Sequence, residues 1–147
     1  MLLFDQEKVT KLVSELRRSV VRLRDIAKLS QDEFLSDPDK IGSSKYHFIV
    51  AIESGIDMCN HIISRNGYRV PENYADTFRV MAEAGALDVS FSNELINMAK
   101  FRNRLVHLYW EVDDQQLYEI LQDRLDDFKR LLDSIAEFLG LEDLQKG

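Results

Sequence analysis

The densest set of reactive groups in the sequence is KFRNRLVHLYWE, residues 100–111. Between Lys100 and His107 stand three fixed positive charges, Lys100, Arg102 and Arg104, with no acid among them. Beyond Trp110 the balance reverses, with Glu111, Asp113, Asp114, Glu119, Asp123, Asp126 and Asp127. A basic patch bordered by acid can be a focused anion site. It can equally be a run of helix-surface salt bridges, which are common and individually weak. Spacing bears on the choice. Arg102 and Tyr109 lie seven residues apart, about 700° of rotation at roughly 100° per residue, so they share a helix face. His107 follows Arg102 by five residues, which places it about 140° around the same helix. The two converge on one phosphate only if the helix ends near Val106 or if two chains contribute. Trp110 and the acid-rich stretch after it favour such an ending.

A second polar constellation is Glu53, Asp57 and His61, one stripe at i, i+4 and i+8. A carboxylate–histidine stripe can ligate a metal, but no third strong ligand stands nearby, so a metal site is not expected. A solvated face holding an Asp57–His61 pair is the plainer reading. His47 reads as structural or surface. Cys59 lies among Ile56, Ile62 and Ile63 and reads as a buried, inert thiol. Phe4, Phe34, Phe91 and Phe138 are core or contact residues.

The elements that must position these groups are helical. Val9, Leu12, Val13, Leu16, Val20, Leu23 and Ala27 recur at three- and four-residue spacing, predicting a helix over residues 5–29 with Asp5 as its N-cap. Residues 30–42 are polar and hold Pro38 and Gly42, a connector with room for one helical turn. A second helix is expected over 43–65, capped by Ser43 or Ser44 and stopped by Asn66-Gly67. Pro71 opens a shorter one through about Ala84, with Gly85 at its end. A fourth spans about Asn93 to Val106. The last runs from Asp114 to Gly140, with Leu117, Leu121, Leu125, Phe128, Leu132, Ile135 and Leu139 on one side. No period-2 strand, repeat or low-complexity tract is visible. The expectation is an all-α antiparallel bundle of about five helices, two of them long, in which residues 1–147 form a single domain. Helices of about 25 residues span close to 37 Å, long for a monomer of this size, so a homodimer is expected to cover part of their apolar stripes.

Composition sets the frame. The 147 residues are 45% hydrophobic and 31% charged, a globular balance that excludes wholesale disorder. The apolar runs fall far short of the roughly 20 residues of a membrane helix. The opening MLLFDQEKVTKL turns polar too soon for a signal peptide. The single cysteine excludes an internal disulfide. A cytoplasmic protein is expected. The net charge of −7 argues against non-specific adhesion to nucleic acid, where phosphate contacts dominate affinity. Net charge is a global sum, however, and a site is local.

With these residues in view, the sequence resembles the HEPN superfamily, and within it the HepT-like ribonuclease toxins. The signature is Arg, four residues, His, one residue, Tyr, standing here as Arg102-Asn103-Arg104-Leu105-Val106-His107-Leu108-Tyr109. SKYHFIVAIESGIDMCNHIISRNG, residues 44–67, and RVPENYADTFRVMAEAG, residues 69–85, are also similar to family segments. The short motif alone is weak; with its flanks, in order, the resemblance is strong. It implies a dimer in which motif residues from both chains meet at a cleft, and RNA cleavage without a metal or other cofactor. It also implies a type VII toxin–antitoxin pair, in which a cognate minimal nucleotidyltransferase antitoxin adds AMP to Tyr109.

The residue types suit that chemistry. The 2′-hydroxyl must lose a proton to attack phosphorus and the 5′-oxygen must gain one, and His has a pKa suited to either transfer. Arg keeps its charge and can grip two phosphate oxygens as negative charge builds. The resemblance therefore assigns Arg102 to phosphate binding, His107 to acid–base work, and Asn103 to a supporting hydrogen bond. Lys100 and Arg104 become RNA-binding residues, and the Asp57/His61 face a support lining the cleft. The attacking group makes the substrate RNA, tRNA among the candidates, and not DNA. A nucleotide on Tyr109 adds bulk and negative charge beside the arginine, which would repel an RNA phosphate; otherwise Tyr109 is a core aromatic next to Trp110. The competing class is a non-catalytic helical module that docks a nucleotidyltransferase or RNA. A nucleotide-binding adaptor ranks lower, for want of a phosphate loop. An acidic body further implies that a few groups, Arg102 above all, must do the gripping.

Overall fold

In the computed structural model, residues 2–142 are described, and every regular element among them is helical. Seven α-helices follow in order: α1 Gln6–Ala27, α2 Gln31–Leu35, α3 Pro38–Arg65, α4 Tyr74–Glu83, α5 Val89–His107, α6 Asp114–Asp123 and α7 Asp126–Leu139. A single 3-10 turn, Tyr109–Glu111, joins α5 to α6.

The apolar stripe of α1 is buried at Val9, Val13, Leu16, Leu23 and Ile26, and α1 packs chiefly along α3. The facing residues of α3 include Phe48, Ile52, Ile56, Cys59 and Ile62, all 2% exposed or less. Each such side chain contributes about 1.5–3 kcal/mol through burial. Gly55 marks a close approach of helices: a Cβ there would stand 2.9 Å from Leu131 Cδ2 of α7 and 3.7 Å from Leu16 Cδ1 of α1. Phe48 of α3 meets Phe101 of α5 edge-on, ring centres 5.6 Å apart, which fixes the helix that carries the reactive cluster.

Asp5 does cap α1, its side chain accepting from the Lys8 amide. The connector holds α2, closed by a capping box between Ser30 and Glu33. Helix α3 begins at Pro38 rather than at residue 43, because Asp37 accepts from the Asp39 and Lys40 amides and proline suits the first turn. Those signals outweigh the cost of roughly 1 kcal/mol for Gly42 inside a helix. The stop holds: Asn66 follows the last helical residue and Gly67 takes φ +67°. Helix α4 starts at Tyr74, after Pro71, because Asn73 accepts from the Asp76 amide. Asp88 likewise starts α5 at Val89, ahead of Asn93.

The expected last helix is two, which brings the described α-helices to seven rather than about five. It breaks at Arg124–Leu125, and Asp126 and Asp127 supply the negative charge favoured in a new first turn. The leucine stripe continues across the break, so periodicity could not reveal it. The long helices are thus α1 and α3, of 22 and 28 residues.

Candidate active site

Arg102 leaves α5 toward α3 and α4, with its side chain 13% exposed. Its Nε donates to Glu53 Oε1 at 2.9 Å, and Nη2 donates to the same oxygen. Nη1 donates to Asn103 Oδ1 at 3.0 Å. The guanidinium carbon lies 4.7 Å from the centre of the Tyr74 ring, within cation–π range. Tyr74 is itself placed by the start of α4. There Asp76 takes two bonds from Arg69 at 2.8 and 3.0 Å and one from the Glu72 amide, and these hold its carboxyl down at about 2. Thr77 Oγ1 ties the same helix to α3 by donating to Asn60 Oδ1. Arg102 is therefore fixed by contacts from three helices.

This corrects the reading of three unopposed charges. Arg102 is ion-paired with Glu53, 49 residues away in sequence. Arg104 leans toward α6, its Nη1 3.4 Å from Gln116 Oε1. Lys100 is exposed. No described contact gathers the three cations.

The polar stripe on α3 also divides. Glu53 goes to Arg102. Asp57, one turn on, has its carboxyl pushed above the usual range, by desolvation first and by Glu53 second, with Lys8 and Arg102 pulling the other way. His61 turns to the chain start, where its Nε2 accepts the Asp5 amide at 2.8 Å. Its ring is pushed below the usual histidine value, by burial first and then by Lys8 and Arg65. The expected Asp57–His61 pair does not form, because an acceptor bond to the backbone already holds the imidazole. Cys59 is fully buried and its thiol pushed up to about 12, which leaves it inert. His47 is held by Ser19 Oγ at 3.4 Å. Among the described residues, no three His, Cys, Asp or Glu side chains are placed to hold a metal ion.

His107 is the last residue of α5 and is exposed. The helix ends because Leu108 leaves helical geometry, at φ −131° and ψ 42°. No described hydrogen bond, ion pair or ring contact joins His107 to Arg102. What they share is α5, one pointing into the bundle and the other standing at its tip. Tyr109, 46% exposed, opens the 3-10 turn, and Trp110 is 77% exposed. Lys45 Nζ lies 4.1 Å from the centre of the Tyr109 ring. A groove of about 940 Å³ runs between α1 and α3, with Arg18, Arg22 and Tyr46 on its walls and Glu53 and Asp57 at the site.

Sequence reasoning missed three participants. Glu53 was visible only as part of a stripe, and its partner lies too far along the chain for spacing to connect them. Tyr74 carried no signal. Lys45 did: it stands in the apolar register of α3 with Ile41, Phe48 and Ile52, where a lysine is out of place.

Comparison with known proteins agrees with this architecture. A family model described as Ribonuclease HepT-like matches residues 16–135. The mRNA nuclease HepT of Shewanella oneidensis is 24% identical over 127 residues, covering 84% of this chain and 92% of that protein. A solved structure of a tri-AMPylated Shewanella oneidensis HEPN toxin in complex with MNT antitoxin superposes with a TM-score of 0.83 at 22% identity, covering 90% of this chain and 99% of that one. YutE of Bacillus subtilis, a cytosolic protein of unknown function, gives a TM-score of 0.79 at 18% identity, covering 95% and 93%. Those two structures bear on the fold, and the family match covers most of the chain. This chain belongs to the ribonuclease HepT-like family.

Proposed function

We propose that this chain is a metal-independent endoribonuclease, the toxin of a toxin–antitoxin pair, acting through Arg102 and His107. The observation that carries the reading is the state of Arg102: a guanidinium locked in place by Glu53, Asn103 and Tyr74 while its fork keeps donors in reserve for an anion. Such preorganised positive charge stabilises charge that develops on a phosphate in the transition state. In the proposed step, the 2′-hydroxyl of RNA loses its proton and its oxygen attacks the adjacent phosphorus. The bond to the 5′-oxygen breaks, and that oxygen takes up a proton, leaving a 2′,3′-cyclic phosphate and a 5′-hydroxyl. An exposed imidazole with no described partner is free to carry either proton. Asn103 steadies Arg102, and Lys100 and Arg104 meet flanking phosphates.

Within one chain Arg102 and His107 do not touch. We take the working unit to be a homodimer in which residues of both copies complete a cleft; light scattering that finds only a 17.1 kDa species overturns this. A nucleotidyltransferase antitoxin silences the enzyme by adding AMP to Tyr109, whose side chain is exposed two residues beyond His107. The relative named an mRNA nuclease and the neighbour named as an AMPylated toxin in complex with MNT antitoxin support both parts.

The Arg102–Glu53 ion pair also favours a second reading, a non-catalytic helical module, because it gives the arginine a structural occupation. Incubating the purified chain with RNA in EDTA, beside the His107→Ala protein, separates the two. Cleavage by the wild type that is lost in the variant supports the enzyme; no cleavage, or equal cleavage, removes it.

A further inference from the structure

Among the described residues, Lys45 is the only lysine or arginine that is buried, at 6% exposure. Its ammonium has three protons to donate but reaches only the face of the Tyr109 ring, at 4.1 Å, and Asp114 Oδ1, at 3.8 Å. Neither is a close hydrogen bond. The ion pair with Asp114 is long and that carboxylate is half-exposed, so an anion that comes closer to the ammonium can displace it. The other end of the tyrosine points the same way. A Cβ placed on Gly42 would lie 3.9 Å from the Tyr109 hydroxyl and meet nothing else within 4 Å. The hydroxyl therefore borders open space on the surface of α3, beside a cation.

We infer that Lys45 is the cationic seat for a phosphodiester carried on Tyr109. This rests on the reading that Tyr109 is nucleotidylated. In that reaction Oη attacks the α-phosphorus of a nucleoside triphosphate held by the transferase. The bond from that phosphorus to the bridging oxygen breaks, pyrophosphate leaves, and the phenolic proton passes to solvent. The product carries a new negative charge one bond beyond the ring that Lys45 already underlies. A small swing of the flexible lysine stem exchanges the distant Asp114 carboxylate for a phosphate oxygen in direct contact. The nucleotide is then pinned along α3 next to Gly42, and the segment that bears His107 is fixed with it. Lys45 acts here as a positioning residue for the silenced state and takes no part in RNA cleavage.

The test uses the full chain, its cognate transferase and ATP, with intact mass and melting temperature recorded before and after reaction. The wild type is expected to gain the mass of AMP and to melt higher by roughly 2–4 °C once modified. Lys45→Met is expected to take up AMP without that rise, and Lys45→Arg to keep most of it. Asp114→Asn removes a half-exposed competitor for the ammonium and is expected to enlarge the rise; it remains informative if Lys45→Met does not fold. A purely structural lysine would lower both melting temperatures of Lys45→Met and leave their difference unchanged. A rise in Lys45→Met equal to that of the wild type, or no enlargement in Asp114→Asn, overturns the inference while the Tyr109 reading stands. Absence of any adduct on the wild type overturns both, and intact mass tells the two failures apart.

Discussion

The two ends of one stretch of α5 behave differently. At Arg102, α5 is packed into the bundle and the side chain is held by Glu53 of α3, the Tyr74 ring of α4 and its own neighbour Asn103. Five residues on, His107 stands at the helix tip without a described partner, followed by the exposed Tyr109 and Trp110. The difference matches what the proposed function asks of each group. A charge that stabilises a transition state works best when it does not move. In the proposed enzyme, a group that exchanges protons and a tyrosine that is modified by a partner enzyme both need access. The scaffold spends its packing on the arginine and leaves the tip open.

The contrast can be broken at either end. Arg102→Lys keeps the charge but loses the planar fork that Glu53 and Asn103 orient, and His107→Ala removes the proposed proton carrier. Each is expected to lower the rate of RNA cleavage by about 10²–10³, in the range of lost oxyanion donors and acid–base groups. A loss below tenfold for Arg102→Lys would show that the fork geometry is idle. Next in size are the packing changes. Phe48→Ala, at a site 0% exposed against Phe101, is expected to cost about 3–5 kcal/mol in denaturant unfolding. Trp110→Ala, at the tip, should stay within about 0.5 kcal/mol. Equal losses at the two positions would mean that the tip is packed as firmly as the core.

The smallest expected effect sharpens the electrostatics around Arg102. The Asp57 carboxyl titrates higher in the folded protein than in the unfolded chain. The folded state therefore holds the proton more tightly, and stability falls as pH rises through the carboxylate range. Asp57→Asn is expected to be slightly more stable than the wild type at neutral pH, with the gain vanishing in acid below the ordinary carboxylate value. Urea titrations at the two pH values check it; an unchanged or reduced midpoint at neutral pH counts against the desolvation and the Glu53 repulsion.

Much of this was legible in the residues. The stripe of α1, the Asp5 cap, the Asn66-Gly67 stop and the buried Cys59 are local facts, and local patterns carried them. Where the reading slipped, another rule was at work. Two aspartates and an asparagine, Asp37, Asp88 and Asn73, set helix starts that Ser43, Asn93 and Pro71 had claimed. The α6–α7 break was hidden because its leucines keep one register through it. The motif from Arg102 to Tyr109 was plain as a string, but its electrostatic partners were not. Glu53 and Lys45 reach it from another helix, and only the packing of α3 against α5 and the 3-10 turn reveals them.

The chain start offers one more lesson. Asn66 holds Leu3 from both sides, accepting its amide through Oδ1 and donating to its carbonyl through Nδ2, each at 2.8 Å, and His61 accepts the Asp5 amide. Residues 3–5 are thus buckled to the far end of α3 by two side chains, beside Phe4, which packs against the core. One half of the buckle is an imidazole that works only while its Nε2 is unprotonated. Acidification below the histidine range should unfasten it ahead of the bundle, and the Asp5 amide would then exchange with solvent faster while amides deep in α3 keep their protection. Residues 3–5 are a latch whose release is written in protons.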